Sequence, residues 1–289
     1  MRVLPLAVVA SLLLAGCSAG GSGASGPISH PAGATTVLRV DYRGGFVPAD
    51  VRLTQLPAFL LLGDGRVIQP GAQAAIYPGP LLPALEVRTL SETGVQAVLR
   101  QALATGLFDR DRTFDGARSR VMDAPDTVFT LEADGRRTTV SVYALGETDL
   151  GSSSGLSADE MAARRSLVAL NQRLGSLDAW LPAGSWAVPR SSGFTADAYR
   201  LFIHNADGDK GEAGIGIGLV AWPSGQDPAS VGLPFGDGRC WVVRGPDART
   251  WGDVLAKANQ LTRWTFGGHR YRVLPRPLLP GEPAGCAGG

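Results

Sequence analysis

Ala58-Phe59-Leu60-Leu61-Leu62-Gly63-Asp64-Gly65-Arg66-Val67-Ile68 holds two short apolar runs separated by an Asp-Gly pair. Such a pattern reads as a β-hairpin, because Asp and Gly both tolerate the positive φ of a tight turn. The same design returns at an offset of 70 residues in Val128-Phe129-Thr130-Leu131-Glu132-Ala133-Asp134-Gly135-Arg136. Phe59, Leu61, Asp64, Gly65 and Arg66 align with Phe129, Leu131, Asp134, Gly135 and Arg136, and Thr138 to Tyr143 supplies the returning strand. A helical pattern follows each hairpin. Ser91 opens the first helix, with Val95, Val98, Leu99, Ala102 and Leu103 on one face and Gly106 at its end. Ser157-Ala158-Asp159-Glu160 opens the second as a capping box, in which the Ser oxygen and the Glu carboxylate each satisfy a free N–H. Leu167, Leu170, Leu174 and Leu177 form its apolar stripe. Residues 36–181 therefore read as two hairpin-plus-helix units, and the fold class as α+β.

Outward from this centre, Val37 to Tyr42 alternates as a strand closed by Gly44-Gly45. Residues 69–83 carry four prolines and read as loop, with a short strand at Glu86–Leu90. The mixed charges of 109–120 suit a solvated loop. Residues 182–196, rich in Pro, Gly and Ser, read as a linker. Residues 197–289 read as a smaller β-rich unit. Its strands are expected at Tyr199–His204, Ile215–Trp222 and Cys240–Arg244, its one helix near Thr250–Leu261, and its C-terminal strand at Tyr271–Leu274.

The N-terminus has a different character. A single cation, Arg2, precedes the apolar run Leu4 to Leu14, and Leu14-Ala15-Gly16-Cys17 closes it. The run is shorter than the roughly 20 apolar residues a spanning helix needs, and it suits the apolar core of an export signal. This segment resembles a bacterial lipoprotein signal peptide with its lipobox. The resemblance implies a signal peptide over 1–16, a diacylglyceryl group on Cys17 and a membrane partner reached through that lipid. It also implies a place on the extracytoplasmic side of the cell membrane. Residues 17–35, rich in Gly, Ser, Ala and Pro, then read as a flexible tether with His30 solvated. The stretch from Gly238-Arg239-Cys240 to Cys286 is similar to segments of uncharacterised bacterial secreted proteins, a resemblance that carries no activity.

Composition narrows the function classes. Without Arg2 the remaining chain holds 26 basic and 26 acidic residues. No basic block is present, which argues against electrostatic nucleic-acid binding. Lys occurs only at 210 and 257, so 25 of the 27 basic residues are Arg, a bias that a GC-rich genome explains. With Cys17 acylated, Cys240 and Cys286 remain as a pair in an oxidising compartment, where thiols tend to become disulfides. A buried free thiol at each is the other reading. Zinc is disfavoured because neither Cys lies in a CxxC spacing.

Four stretches invite chemistry. Gly151-Ser152-Ser153-Ser154-Gly155 fits the letters of a nucleophile elbow, with His204 and His269 as triad candidates for Ser153, but the sharp strand-to-helix turn is missing. Asn205 to Glu212 suggests a calcium loop, yet Lys210 stands where the turn needs Gly and Gly216 where a bidentate Glu is needed. Gly214-Ile215-Gly216-Ile217-Gly218 runs on into a strand, so a dinucleotide loop is rejected. Six Trp lie between 180 and 264, and Trp251 and Trp264, flanking the last helix, are expected to be partly exposed at a binding surface. No catalytic set, metal site or cofactor site is assigned. The leading expectation is a non-enzymatic, lipid-anchored protein that binds an envelope protein or a small ligand. An envelope serine hydrolase using the Gly151–Gly155 loop is the alternative, and a purely structural role in an envelope complex is the third.

Overall fold

The computed structural model describes residues 26–119, 121–147, 155–211 and 215–286. The chain runs β1 (Thr36–Gly44), α1 (Ala49–Thr54), β2 (Phe59–Leu62), β3 (Arg66–Pro70), β4 (Leu85–Leu90), α2 (Glu92–Leu103), β5 (Arg112–Phe114), β6 (Pro125–Ala133) and β7 (Arg136–Tyr143). It continues through α3 (Ala158–Leu174), β8 (Trp186–Gly193), β9 (Ala198–Asn205), β10 (Gly218–Ala221), β11 (Leu233–Phe235), β12 (Gly238–Arg244), α4 (Gly245–Leu255), β13 (Thr262–Phe266) and β14 (His269–Pro277). The class is α+β: two mixed sheets, of eight and six strands, with four α-helices among the described residues.

The larger sheet has the order β5-β7-β6-β1-β2-β3-β4-β8. β1 sits between the two hairpins and pairs antiparallel with both. Val40 lies opposite Phe59 on one side and Phe129 on the other, and Leu38 opposite Leu61 and Leu131. Alternation sends Leu38 and Val40 to one face, where α2 and α3 cover them. That core gathers Phe59, Phe129, Leu131, Val98, Leu99, Leu167 and Leu170, all nearly free of solvent. The opposite face of β1 is polar, with Arg39 and Asp41. Ser91 caps α2 by accepting from the Gly94 N–H, and Ser157 caps α3 by accepting from the Glu160 N–H.

The two Asp-Gly turns differ. Ala133 pairs with Arg136, which leaves Asp134-Gly135 as a two-residue turn with both φ positive. At the first hairpin Leu61 pairs with Val67, and only Gly65 is left-handed, so Gly63 to Gly65 make a longer turn. Gly63 has a neighbour that explains its lack of a side chain: a Cβ there would stand 2.1 Å from the Pro31 carbonyl oxygen.

That neighbour belongs to a segment expected to hang free. The tether reading of 17–35 fails for residues 28–35, which strap both turns. Asp64 N–H donates to Gly33 O at 2.8 Å, and Asp134 N–H to Ser29 O at 2.7 Å. Ser29 N–H returns a bond to Asp134 Oδ1 at 2.9 Å. Gln96 of α2 grips Ile28 from both sides, accepting its N–H at 2.9 Å and donating to its carbonyl at 2.7 Å. His30 is not simply solvated: it meets Glu92 at 3.2 Å and its side chain is largely covered. Local composition hid this, because most of the docking bonds use backbone groups that Gly and Ser supply as well as any residue.

The linker reading of 182–196 also changes, since β8 adds to the sheet edge beside β4. Its side chains are exposed on both faces, which erases alternation, and Pro189 and Gly193 suit an edge strand. The smaller sheet has the order β10-β13-β14-β9-β12-β11. Its helix begins at Gly245 rather than near Thr250, with Pro in its first turn. Ala248, Trp251 and Leu255 share the inward face of α4. Trp251 and Trp264, expected to be partly exposed, are 1% and 0% exposed and anchor this core. Trp222 packs edge-on to Trp251 at 4.8 Å.

The strap generates a stability prediction. Gln96 is buried and its amide serves both polar groups of Ile28. Replacing it with Leu leaves them unpaired, and each such loss costs about 1–3 kcal/mol. Gln96→Leu is expected to lower the melting temperature in calorimetry by several degrees, and an unchanged midpoint would show that the strap is not held there.

Candidate functional site

The polar face of β1 opens on a cleft of about 620 Å³ between the two sheets. Six arginines line it: Arg39 and Arg43 from β1, Arg52 from α1, Arg137 from β7, Arg200 from β9 and Arg276 from β14. Two carboxylates, Asp41 and Glu282, face them. Phe202 and Phe235, with ring centres 5.1 Å apart, form an apolar floor. Beneath it the disulfide Cys240–Cys286 joins β12 to the C-terminal segment.

Strand alternation puts the arginines here. Leu201 and Ile203 of β9 face the tryptophan core, so Arg200 and Phe202 face the cleft. On β1 the core positions Leu38 and Val40 leave Arg39, Asp41 and Arg43 on the cleft side.

Glu282 is the best-held acid. Its carboxylate accepts both arms of Arg276 at 2.6 and 2.8 Å, Nη1 of Arg39 at 2.9 Å and the Leu279 N–H at 3.0 Å. Burial alone would raise its pKa. The Arg276 hydrogen bonds and charge, the Leu279 N–H and the Arg39 charge outweigh burial and hold it at about 2. Arg39 also binds Asp41 through Nε at 2.8 Å.

The rest of the charge is not neutralised in the same way. Arg43 lies 3.7 Å from Asp41, and Arg137 3.6 Å from Glu132. Among the described residues, Arg52 and Arg200 have no carboxylate within 4.0 Å. The Nη2 of Arg200 donates to Pro283 O at 3.2 Å, and its Nε is buried without a partner. Burial, then the neighbouring Arg276 charge, pull the Arg200 guanidinium below its ordinary range, and Glu282 only partly offsets this. The arrangement can hold an anion through paired N–H forks, the geometry in which arginine recognises carboxylates and phosphates.

The residues singled out from sequence lie elsewhere. Cys17 and Ser152 to Ser154 fall outside the described residues. His204 Nδ1 sits 3.1 Å from Asp237, and His269 Nδ1 sits 2.8 Å from Asp207. His269, Asp237 and Arg239 line a second cavity of about 580 Å³ at the end of the smaller sheet. The hydrogen bond from His269 to Asp207 raises the His269 pKa, and the same bond, with the Arg270 N–H, holds Asp207 well below the carboxylate range. In the stretch considered as a calcium loop, Asp207 serves His269 and Arg270, and Asp209 serves Arg263 at 2.6 Å. Among the described residues no cluster of three His, Cys, Asp or Glu is placed to hold a metal ion. Trp180 and Trp186 pack against the larger core and Trp222, Trp241, Trp251 and Trp264 within or against the smaller, so the six share no single groove, although Trp186 lines a cavity of about 220 Å³.

Sequence reasoning missed the cleft because its arginines are spread from 39 to 276. One local signal existed: Arg39, Asp41 and Arg43 alternate with apolar residues on a strand that proves central. Compared with known proteins, the chain matches no family model, no curated protein and no solved structure.

The depressed Glu282 pKa sets a pH dependence. A carboxylate held below its unfolded value contributes stability above that value and loses it as pH falls through the folded pKa. A shift from 4.5 to about 2 corresponds to about 3 kcal/mol. Glu282→Gln is expected to cost about that much at pH 7 by denaturant unfolding. The gap to the parent protein should close between pH 5 and pH 2. A constant gap would show that the ionised carboxylate is not what holds the site.

Proposed function

We propose that this chain is a non-enzymatic, lipid-anchored protein on the extracytoplasmic side of the cell membrane, and that it binds a small anionic ligand in the arginine cleft. The observation that carries the reading is the excess of guanidinium charge: six arginines face two carboxylates, and both carboxylates are already engaged by arginine. The lipobox at Leu14 to Cys17 supports the anchor, and the Cys240–Cys286 disulfide suits an oxidising compartment. No helix among the described residues is long and apolar enough to cross a membrane. The matched registers of Phe59 and Phe129, and of Leu61 and Leu131, against β1 support reading residues 36–181 as two hairpin-plus-helix units. The resemblance of Gly238 to Cys286 to segments of bacterial secreted proteins rests on sequence alone and adds no activity. The reading requires no cofactor and no nucleic acid.

A second reading, an envelope serine hydrolase, draws support from the His204–Asp237 and His269–Asp207 pairs, each the His–Asp half of a triad. Labelling of Ser153 by a fluorophosphonate probe, lost in Ser153→Ala, would favour it over the binding reading.

Two outcomes are expected of the binding protein. In cells, Cys17→Ser should move the chain from the membrane to the soluble fraction and abolish labelling by a fatty-acid analogue. Retention in the membrane would remove the anchor from the proposal. In a thermal-shift screen of the full chain against organic anions, a ligand at 100 times its dissociation constant should stabilise by about 2.7 kcal/mol. The double variant R52Q/R200Q should lose that shift, and an equal shift in the variant would place binding elsewhere.

A further inference from the structure

We propose that the anion taken by the cleft is a phosphate monoester, and that Arg52 and Arg200 are the side chains that select it. This rests on the reading of the cleft as an anion site and names its ligand class.

The argument begins with what the cleft already contains. A carboxylate-shaped position is filled by Glu282, whose two oxygens take three guanidinium N–H groups and one backbone N–H. A further carboxylate ligand would find the Arg39–Arg276 fork occupied. Four arginines remain: Arg43 and Arg137 have only long contacts to acids, and Arg52 and Arg200 have no acid within 4.0 Å among the described residues. A monoanion neutralises one of these charges. A phosphate monoester brings nearly two negative charges at neutral pH and three acceptor oxygens, so it can engage several guanidinium groups at once.

Arg200 adds a second, independent observation. Its guanidinium lines the cleft beside Arg276 with no acid within 4.0 Å among the described residues, and its buried Nε lacks a partner, so an anion there would offset charge that this chain leaves uncompensated. The Phe202 and Phe235 floor beside it fits the carbon body of an ester. A cavity of about 620 Å³ falls in the range of small-molecule sites.

The cleft also predicts how binding responds to pH. Its lining carries the arginines, Asp41, Tyr42 and Glu282, but no histidine. Histidine is the side chain whose ordinary pKa lies between pH 5 and 8, whereas a phosphate monoester takes up its second proton near pH 6. Between pH 7.5 and pH 5.5 the change therefore falls on the ligand.

Calorimetric titration of the detergent-solubilised full chain tests this, with inorganic phosphate, phenyl phosphate, dihexanoyl phosphatidate and benzoate as probes. Phenyl phosphate is expected to bind at least tenfold tighter than benzoate at pH 7.5 and to weaken at least threefold at pH 5.5. R52Q, which alters an exposed side chain, and R200Q should each reduce that affinity several-fold while benzoate changes little. Tenfold tighter binding of phosphatidate than phenyl phosphate would identify the source as a lipid headgroup. Equal binding of phenyl phosphate and inorganic phosphate would identify a free phosphate. The first outcome supports the monoester class, and the second overturns it in favour of inorganic phosphate while leaving the anion reading standing. Benzoate binding as tightly as phenyl phosphate would overturn the class and leave the anion reading standing. Failure of all four probes to bind, with the variants folded and indistinguishable from the parent, would overturn both.

Discussion

Glu282 ties the two sheets together through a buried charge. Its carboxylate reaches Arg39 on the larger sheet and Arg276 on the smaller, and its side chain is only 8% exposed. A buried charge of this kind is favourable only when every oxygen has a partner, and here four donors supply them. The C-terminal segment that carries Glu282 is itself fixed by the Cys240–Cys286 bond, which closes a separation of 46 residues. By chain entropy alone such a closure is worth about 4 kcal/mol. The covalent bond fixes the segment that carries the acid, and the acid links an arginine on each wall of the cleft.

What was legible in the sequence, and what was not, divides along a physical line. Periodicity reports which side of an element is buried, so the hairpins at Asp64-Gly65 and Asp134-Gly135, the α2 and α3 stripes, and the α+β class could all be read. It does not report which element will bury it. β8 carries no alternation because both its faces are exposed, and residues 28–35 dock largely through main-chain groups that have no sequence signature, with Ile28 and His30 adding isolated side-chain contacts. The tryptophans erred for a related reason. Position beside a helix says little about depth when Trp251 lies on the inward face with Ala248 and Leu255.

The cleft is the clearest case of information that only tertiary structure assembles. Arg200 and Arg276 neighbour one another across β9 and β14, and Arg39 arrives from another sheet altogether. An abundance of arginine over lysine is explained by composition alone, and only the pairing of strands turns it into a local excess of charge. Two of the cavities carry contrasting polar groups. The arginine cleft lies between the sheets, and the other cavity is lined by His269 and Asp237, one member of each histidine–aspartate pair. On the other face of β9 the aromatic core of Trp222, Trp251 and Trp264 packs against Leu201 and Ile203.

The strap also sets a length scale. Ile28 is fastened to α2 by two hydrogen bonds, and only eleven residue steps separate it from Cys17. Even fully drawn out, that many residues reach about 40 Å, less than the roughly 47 Å width expected of a compact body this size. A lipid on Cys17 would therefore hold the protein on a leash shorter than its own diameter. The end bearing both hairpin turns would stay toward the bilayer, and the protein would work in the layer directly above the membrane surface.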